Sequence, residues 1–218
     1  MRHWALVAGL AALACGAGQA QSPGTVRDRY DFDRPGASYT LPGRLDEISG
    51  LALTPDGRLF AHDDERATIH EIDLSTGEVG KRFSLGEPPL EGDFEGLAVA
   101  GDRFFLVTSE GVLYEFAEGA DREAVAYDTR DTGLAGCEVE GLDHDAASGE
   151  LLLACKTLTP ERDVLVVHRL RVDGAGGATP SPIKVPRSAL AAVGPEEDFE
   201  PSAIAVSPTG SLVLVSAP

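Results

Sequence analysis

The 218-residue chain contains no asparagine. Glycine and aspartate are left to occupy the left-handed positions of tight turns. Side-chain amide oxygens are correspondingly few, so hard-cation ligands must come mainly from carboxylates, hydroxyls and backbone carbonyls. Basic residues are also scarce, with 18 Lys+Arg against 36 Asp+Glu and a net charge of −18. Nucleic-acid binding needs a basic stripe to neutralise phosphates, and this balance argues against it; an anionic membrane surface is disfavoured for the same reason. The three cysteines include no Cys-x-x-Cys pair, so a thioredoxin-like or zinc role has no support. Gly-x-Ser-x-Gly elbows, His-Glu-x-x-His pairs and Walker loops are all missing. No apolar run approaches the roughly 18 residues of a membrane span.

What is present begins with a short polar start at Arg2 and His3, an apolar run from Trp4 to Cys15, and small residues at Gly18-Gln19-Ala20. This has the shape of a signal peptide cleaved near Ala20, which predicts a periplasmic or secreted protein. Ala12-Leu13-Ala14-Cys15 also resembles a lipoprotein cleavage site, with Ala12 where Leu is usual, so a lipid anchor on Cys15 is the alternative. Residues 21–37 then form an N-terminal segment ahead of a domain over 38–218. Cleavage would leave Cys137 and Cys155, which flank an expected hairpin. They are open to two readings, a disulfide or two buried thiols.

Internal repeats decide the fold. Ile48-Ser49-Gly50-Leu51, Phe94-Glu95-Gly96-Leu97, Val139-Glu140-Gly141-Leu142 and Pro201-Ser202-Ala203-Ile204 recur with their second residues at 49, 95, 140 and 202. After each comes a turn and a second apolar run, at Arg58–His62, Arg103–Thr108, Glu150–Cys155 and Ser211–Ser216. Two further strands follow in each of the first three units: Thr68–Leu74 with Val79–Leu85, Val112–Phe116 with Glu123–Tyr127, and Val164–Val172 with Pro182–Val185. Four strands per unit of about 45 residues is the pattern of a β-propeller blade. The only helical expectation is one turn over Ala189–Val193.

The blade count gives three complete blades and part of a fourth. Ser38–Leu41 reads as an outermost strand that could help to close a four-bladed ring. The favoured expectation is instead a truncated six-bladed ring, whose full form needs roughly 270 mature residues. An open edge at Leu212–Val215 would then invite strand pairing with another chain.

In a propeller the first strand of each blade lines the central channel. Glu47, Asp93, Glu138 and Glu200 stand at one place in the four repeats, and Glu95 and Glu140 stand two residues later in two of them. Ser49 and Ser202 take that later place in the other two, as channel-lining hydroxyls. Carboxylates facing one channel repel unless a cation, a proton or water screens them, and oxygen ligands suit Ca²⁺. The competing reading is a solvated acidic rim. His62, His70, His144 and His168 are expected to be packed or edge residues. Lys156 is expected to pair with a rim carboxylate, with an anionic ligand as the other option.

The runs Leu-Asp-Glu-Ile-Ser-Gly-Leu (45–51), Gly-Asp-Phe-Glu-Gly-Leu (92–97), Val-Glu-Gly-Leu-Asp (139–143), Leu-Leu-Leu-Ala-Cys-Lys (151–156) and Pro-Ser-Ala-Ile-Ala-Val (201–206) resemble, in order, the SdiA-regulated family of bacterial envelope propellers. The resemblance implies a six-bladed ring and a calcium site with Glu95 and Glu140 carried over, Glu47 and Glu200 more loosely. It implies no established reaction. The resulting expectation is an exported propeller that binds Ca²⁺ in its channel and presents its rim to a small ligand or envelope protein. The alternative is a calcium-dependent phosphate-ester or carboxylic-ester hydrolase, like phytase-type propellers. A gluconolactonase-type site is disfavoured because its metal shell typically uses asparagine.

Overall fold

A computed structural model describes residues 29–216, apart from 32–33, 135, 157–163, 175–180, 187 and 189–198. The proposed leader with Cys15, the helical turn over Ala189–Val193 and most of the Gly/Ala-rich segment after Asp173 lie outside the described residues.

The first sheet contains β1 (Ile48–Leu53), β2 (Leu59–Asp63), β3 (Thr68–Ile72) and β4 (Val79–Leu85). The second contains β5 (Phe94–Ala100), β6 (Arg103–Thr108), β7 (Val112–Ala117) and, beyond the short β8 (Ala124–Val125), β9 (Tyr127–Asp131). The third runs through β10 (Val139–Asp145), β11 (Glu150–Cys155), β12 (Val164–Arg171) and β13 (Ile183–Pro186). A final pair joins β14 (Pro201–Val206) to β15 (Leu212–Ser216). Each is an antiparallel meander, and the inner strands β1, β5, β10 and β14 are neighbours in that order. This is propeller architecture: three blades, each built on a four-stranded meander, and a two-stranded sheet.

Two expectations are corrected. The outer strand of the second blade is Tyr127–Asp131, with Phe116 opposite Tyr127. Ala124 and Val125 instead pair in parallel with Ser84 and Leu85, giving the first blade a fifth strand. Aromatic packing accounts for the exchange, because Tyr127 lies edge-on to Tyr114 at 5.6 Å. Ser38–Leu41 is not a strand. The Tyr39 hydroxyl donates to the Leu74 carbonyl, and Leu41 packs against the cluster of Leu45, Ala61 and Ile72 on the first blade.

The blades are joined by apolar seams. Phe60, Phe83, Phe94, Phe104 and Phe116 fill the first, with Phe60 and Phe104 edge-to-face at 5.1 Å. Phe105, Leu142, Leu151, Leu153 and Leu170 fill the second. The third is aliphatic and smaller, centred on Leu152, Ala154, Val167 and Ile204. Alternating side chains on strands buried on both faces explain the near-continuous apolar runs of β6 and β11.

Candidate functional site

All four inner strands carry a β-bulge at the same repeat position. Pairing to the second strand skips one residue between Ile48 and Gly50, Phe94 and Gly96, Val139 and Gly141, and Pro201 and Ala203. The skipped residues are Ser49, Glu95, Glu140 and Ser202. A bulge leaves one residue outside the ladder and re-aims its side chain, so the repeat reserves this place for a side chain that need not serve strand pairing.

The glycine after the bulge has a packing reason. A Cβ on Gly96 would stand 2.6 Å from Leu142 Cβ and 2.7 Å from its backbone nitrogen. One on Gly141 would stand 2.8 Å from the Ile204 nitrogen. Adjacent inner strands therefore approach too closely for any side chain there. Glu-Gly-Leu thus combines a re-aimed carboxylate, a close backbone approach and a core leucine.

A side-chain contact joins two of the bulge residues. Ser49 Oγ donates to Glu95 Oε2 at 3.0 Å, linking the first blade to the second. Glu140 is largely buried and accepts from Lys156 Nζ at 2.8 Å, while Glu138 lies 3.8 Å from the same ammonium. Burial and the nearby Glu140 charge, with a smaller push from Asp93, raise the Glu95 pKa to about 7 against the opposing Ser49 hydrogen bond. The hydrogen bond to Glu140 chiefly raises the Lys156 pKa, with the charges of Glu140, Glu138 and Glu95 adding to it.

A second repeated feature holds the chain entering the inner strands of the three blades. The residue after each second strand, Asp64, Ser109 or Lys156, donates its backbone N–H to the carbonyl of Glu47, Asp93 or Glu138 respectively. Asp64 and Ser109 then accept the N–H of Phe94 and Val139 from the next blade. The acids at the earlier repeat place are consequently fixed by their backbones while their side chains remain exposed. Glu200 is also exposed, and its N–H faces Ser216 Oγ at 3.3 Å.

Glu95 and Glu140 are electrostatically coupled, whereas Glu47 and Glu200 make no described side-chain contact with them. Ser109 was not anticipated as a repeat member, although its position after the second strand, equivalent to Lys156, was the available signal. Lys156 pairs with the rim acids as expected. His62 is fully buried beside Gly50, with burial lowering its pKa to about 4, and His70 and His168 are likewise lowered by burial. None of these three has the exposed, proton-exchanging character of a general base.

Cys137 and Cys155 form a disulfide with Cα atoms 5.2 Å apart. Val139 lies opposite Cys155, and Cys137 stands two residues earlier, on the chain entering β10. The bond ties together the segments bearing Glu138 and Lys156. A His168 ring nitrogen lies within 4.8 Å of both sulfur atoms, which the disulfide already engages.

No family model matches the chain, and no curated protein matches it. Among solved structures it is similar to selenomethionine-substituted virginiamycin B lyase from Staphylococcus aureus, with TM-score 0.50 and 13% identity, covering 82% of this chain and 52% of that one. A catalytically inactive form of that lyase with quinupristin gives TM-score 0.50 and 14% identity at the same coverage. The Myceliophteria thermophila Cps50 (Swd1) β-propeller domain gives TM-score 0.42 and 15% identity, covering 76% of this chain and 51% of that one. The fold is a β-propeller fold. The chain spans about half the length of the solved structures it matches.

Proposed function

We propose that this chain is an exported binding propeller of the SdiA-regulated type that takes up Ca²⁺ between Glu95 and Glu140 and presents its channel mouth to a small ligand or envelope partner. The observation that carries the reading is the placement of two carboxylates on adjacent inner-strand bulges, where the Glu140 charge helps push the Glu95 pKa to about 7. A divalent ion relieves that repulsion and favours oxygen donors. Lys156 screens Glu140 in the ion-free chain and would yield some of that pairing to the metal. Glu47 and Glu200 act more loosely, as exposed acids that draw cations toward the mouth. Ordered Glu-Gly-Leu motifs and the leader-like N-terminus support the family and the export.

The test is thermal melting with Ca²⁺ and with chelator, for the wild type and a Glu95→Gln, Glu140→Gln double variant. A ligand of the native state raises its melting temperature by mass action. Calcium should raise the wild-type value and leave the double variant unmoved. Equal shifts in both proteins would move the ion elsewhere, and no shift in either would favour a solvated acidic rim.

A second reading rests on Glu95 alone. A carboxyl with a pKa near neutrality can give and take a proton, as calcium-dependent ester hydrolysis requires. Calcium-dependent turnover of chromogenic phosphate or carboxylic esters, lost in Glu95→Gln, would replace the binding-only reading.

A further inference from the structure

On the outer part of the first blade, far in sequence from the acidic bulges, a cavity of about 350 Å³ is lined by Arg44, Val79, Gly80, Lys81, Arg82, Asp121 and Arg122. Four cations and one acid surround it in a chain whose net charge is −18. Such a concentration opposes the charge of the whole molecule. Three chain segments supply it: the turn before β1, the strand β4, and the loop leading to β8.

The loop is fixed in place. Arg122 N–H donates to the Arg82 carbonyl at 2.6 Å, Arg82 N–H faces Asp121 Oδ1 at 3.2 Å, and Ser84 N–H donates to the Glu123 carbonyl at 3.0 Å. Within it Arg122 adopts φ of 61°, making it the non-glycine residue with positive φ among the described residues. A long side chain in the left-handed region is strained, and glycine would hold the same turn without that strain.

The charges are unequally committed. Lys81 is bonded to Glu118, and its ammonium lies 3.7 Å from Glu71. Arg122 Nε lies 3.6 Å from Asp121, a long and exposed contact. Arg44 and Arg82 make no ion pair among the described residues. Both act on the buried His70, which stands opposite Arg82 in the sheet, and both lower its affinity for a proton.

We propose that this cavity binds a small, multiply charged oxyanion, with Arg44, Arg82 and Arg122 as its recognition groups. Planar guanidinium forks match phosphate and carboxylate oxygens and form charge-assisted hydrogen bonds to them. The cavity volume falls within the range of small-ligand pockets. The site is independent of the calcium reading, because it shares no residue with the channel mouth.

Isothermal titration with inorganic phosphate and with citrate, at low salt and against ionic-strength-matched sodium chloride, tests the proposal. At least one of the two anions should bind with one-to-one stoichiometry. The Arg44→Gln, Arg82→Gln double variant should weaken that binding by roughly tenfold or more, because both substituted side chains are exposed and their loss should leave the fold intact. Arg122→Gly gives a separate readout: it should raise the melting temperature of ligand-free protein while weakening the anion. Glu95→Gln should leave anion binding unchanged. Binding of neither anion beyond the chloride control, or wild-type affinity in the double variant, would overturn the site. A stabilised Arg122→Gly protein with undiminished binding would remove Arg122 from it.

Discussion

Glu95 and Glu140 occupy the same repeat position, on the same bulge, each followed by a glycine that touches the next blade. Their neighbours differ. Glu95 accepts a neutral hydroxyl from Ser49, whereas Glu140 receives the Lys156 ammonium. A hydroxyl offsets part of the cost of burying a carboxylate, while a full opposite charge offsets much more. The second blade therefore carries a carboxyl whose pKa is raised to about 7, and the third carries one bonded to an ammonium. Identical backbone geometry thus delivers two different chemical groups to one channel.

The shared geometry can be broken first. Gly96→Ala should destabilise the protein by about 2–3 kcal/mol, since the added methyl meets both the backbone and the Cβ of Leu142 and the inner strands must separate. Denaturant unfolding would measure it. Gly57→Ala is a contrasting control, because Gly57 has open space around its Cβ and φ of 86°, so its cost is backbone strain alone. An equal or smaller loss at Gly96 would mean that the inner strands tolerate separation.

Lys156→Ala sharpens the difference between the two carboxylates. It leaves the largely buried Glu140 without its ammonium, at a cost of about 1–2 kcal/mol, below the fully buried range because Lys156 reaches solvent. The same variant should bind Ca²⁺ more tightly, having lost the internal competitor. Combining it with Glu140→Gln should recover most of the lost stability, since no uncompensated charge remains. Calcium titration and urea unfolding of the single and the double variant would check both effects.

Blade order and the repeated carboxylate positions were legible in the sequence because a 45-residue repeat states them several times. The bulges were not. A skipped residue leaves no mark in composition, and Ser-Gly-Leu and Glu-Gly-Leu read equally well as regular strand. The exchange of Ala124 and Val125 to the first blade was hidden for another reason: their partners Ser84 and Leu85 lie outside their own repeat unit. Serine at 49 was legible as channel-lining, but its role as donor to Glu95 depends on blade-to-blade distance, which spacing does not encode. Cysteine pairing needed the actual path of residues 137–139 into β10.

The pH dependence of stability distinguishes the two carboxylate environments more finely. Glu95 has its folded pKa raised from 4.5 to about 7, so the native state holds that proton more tightly than the unfolded chain. Its contribution favours folding most at mildly acidic pH, declines as pH rises from about 4.5, and is gone once pH has passed about 7. At this half-buried site, solvent screening reduces the loss to about 1 kcal/mol. Glu118 behaves oppositely: its hydrogen bonds from Arg58 and Lys81 lower its pKa to about 2, so its contribution is present above pH 4.5 and lost below it. The two windows do not overlap. Glu95→Gln should flatten the stability profile between about pH 4.5 and 7 and leave the acid limb unchanged.

The smallest expected effect isolates the Ser49 hydroxyl. It donates to Glu95 and thereby favours the ionised carboxylate, partly opposing burial and the Glu140 charge. Ser49→Ala removes that donor and should move the Glu95 pKa further above 7. Above the new pKa the variant should be less stable than wild type by about 0.5–1 kcal/mol, the net worth of one partly exposed hydrogen bond to a charged group. At pH 5 the carboxyl is protonated in the native state of both proteins, and the difference should shrink. The sign follows from linkage, because a donor that stabilises the charged form matters only where that form is populated. Repeating the substitution in a Glu95→Gln background should abolish its pH dependence. If the cost of Ser49→Ala were the same at pH 5 and pH 9, the hydroxyl would be contributing packing, and the electrostatic link between the first and second blades would fail.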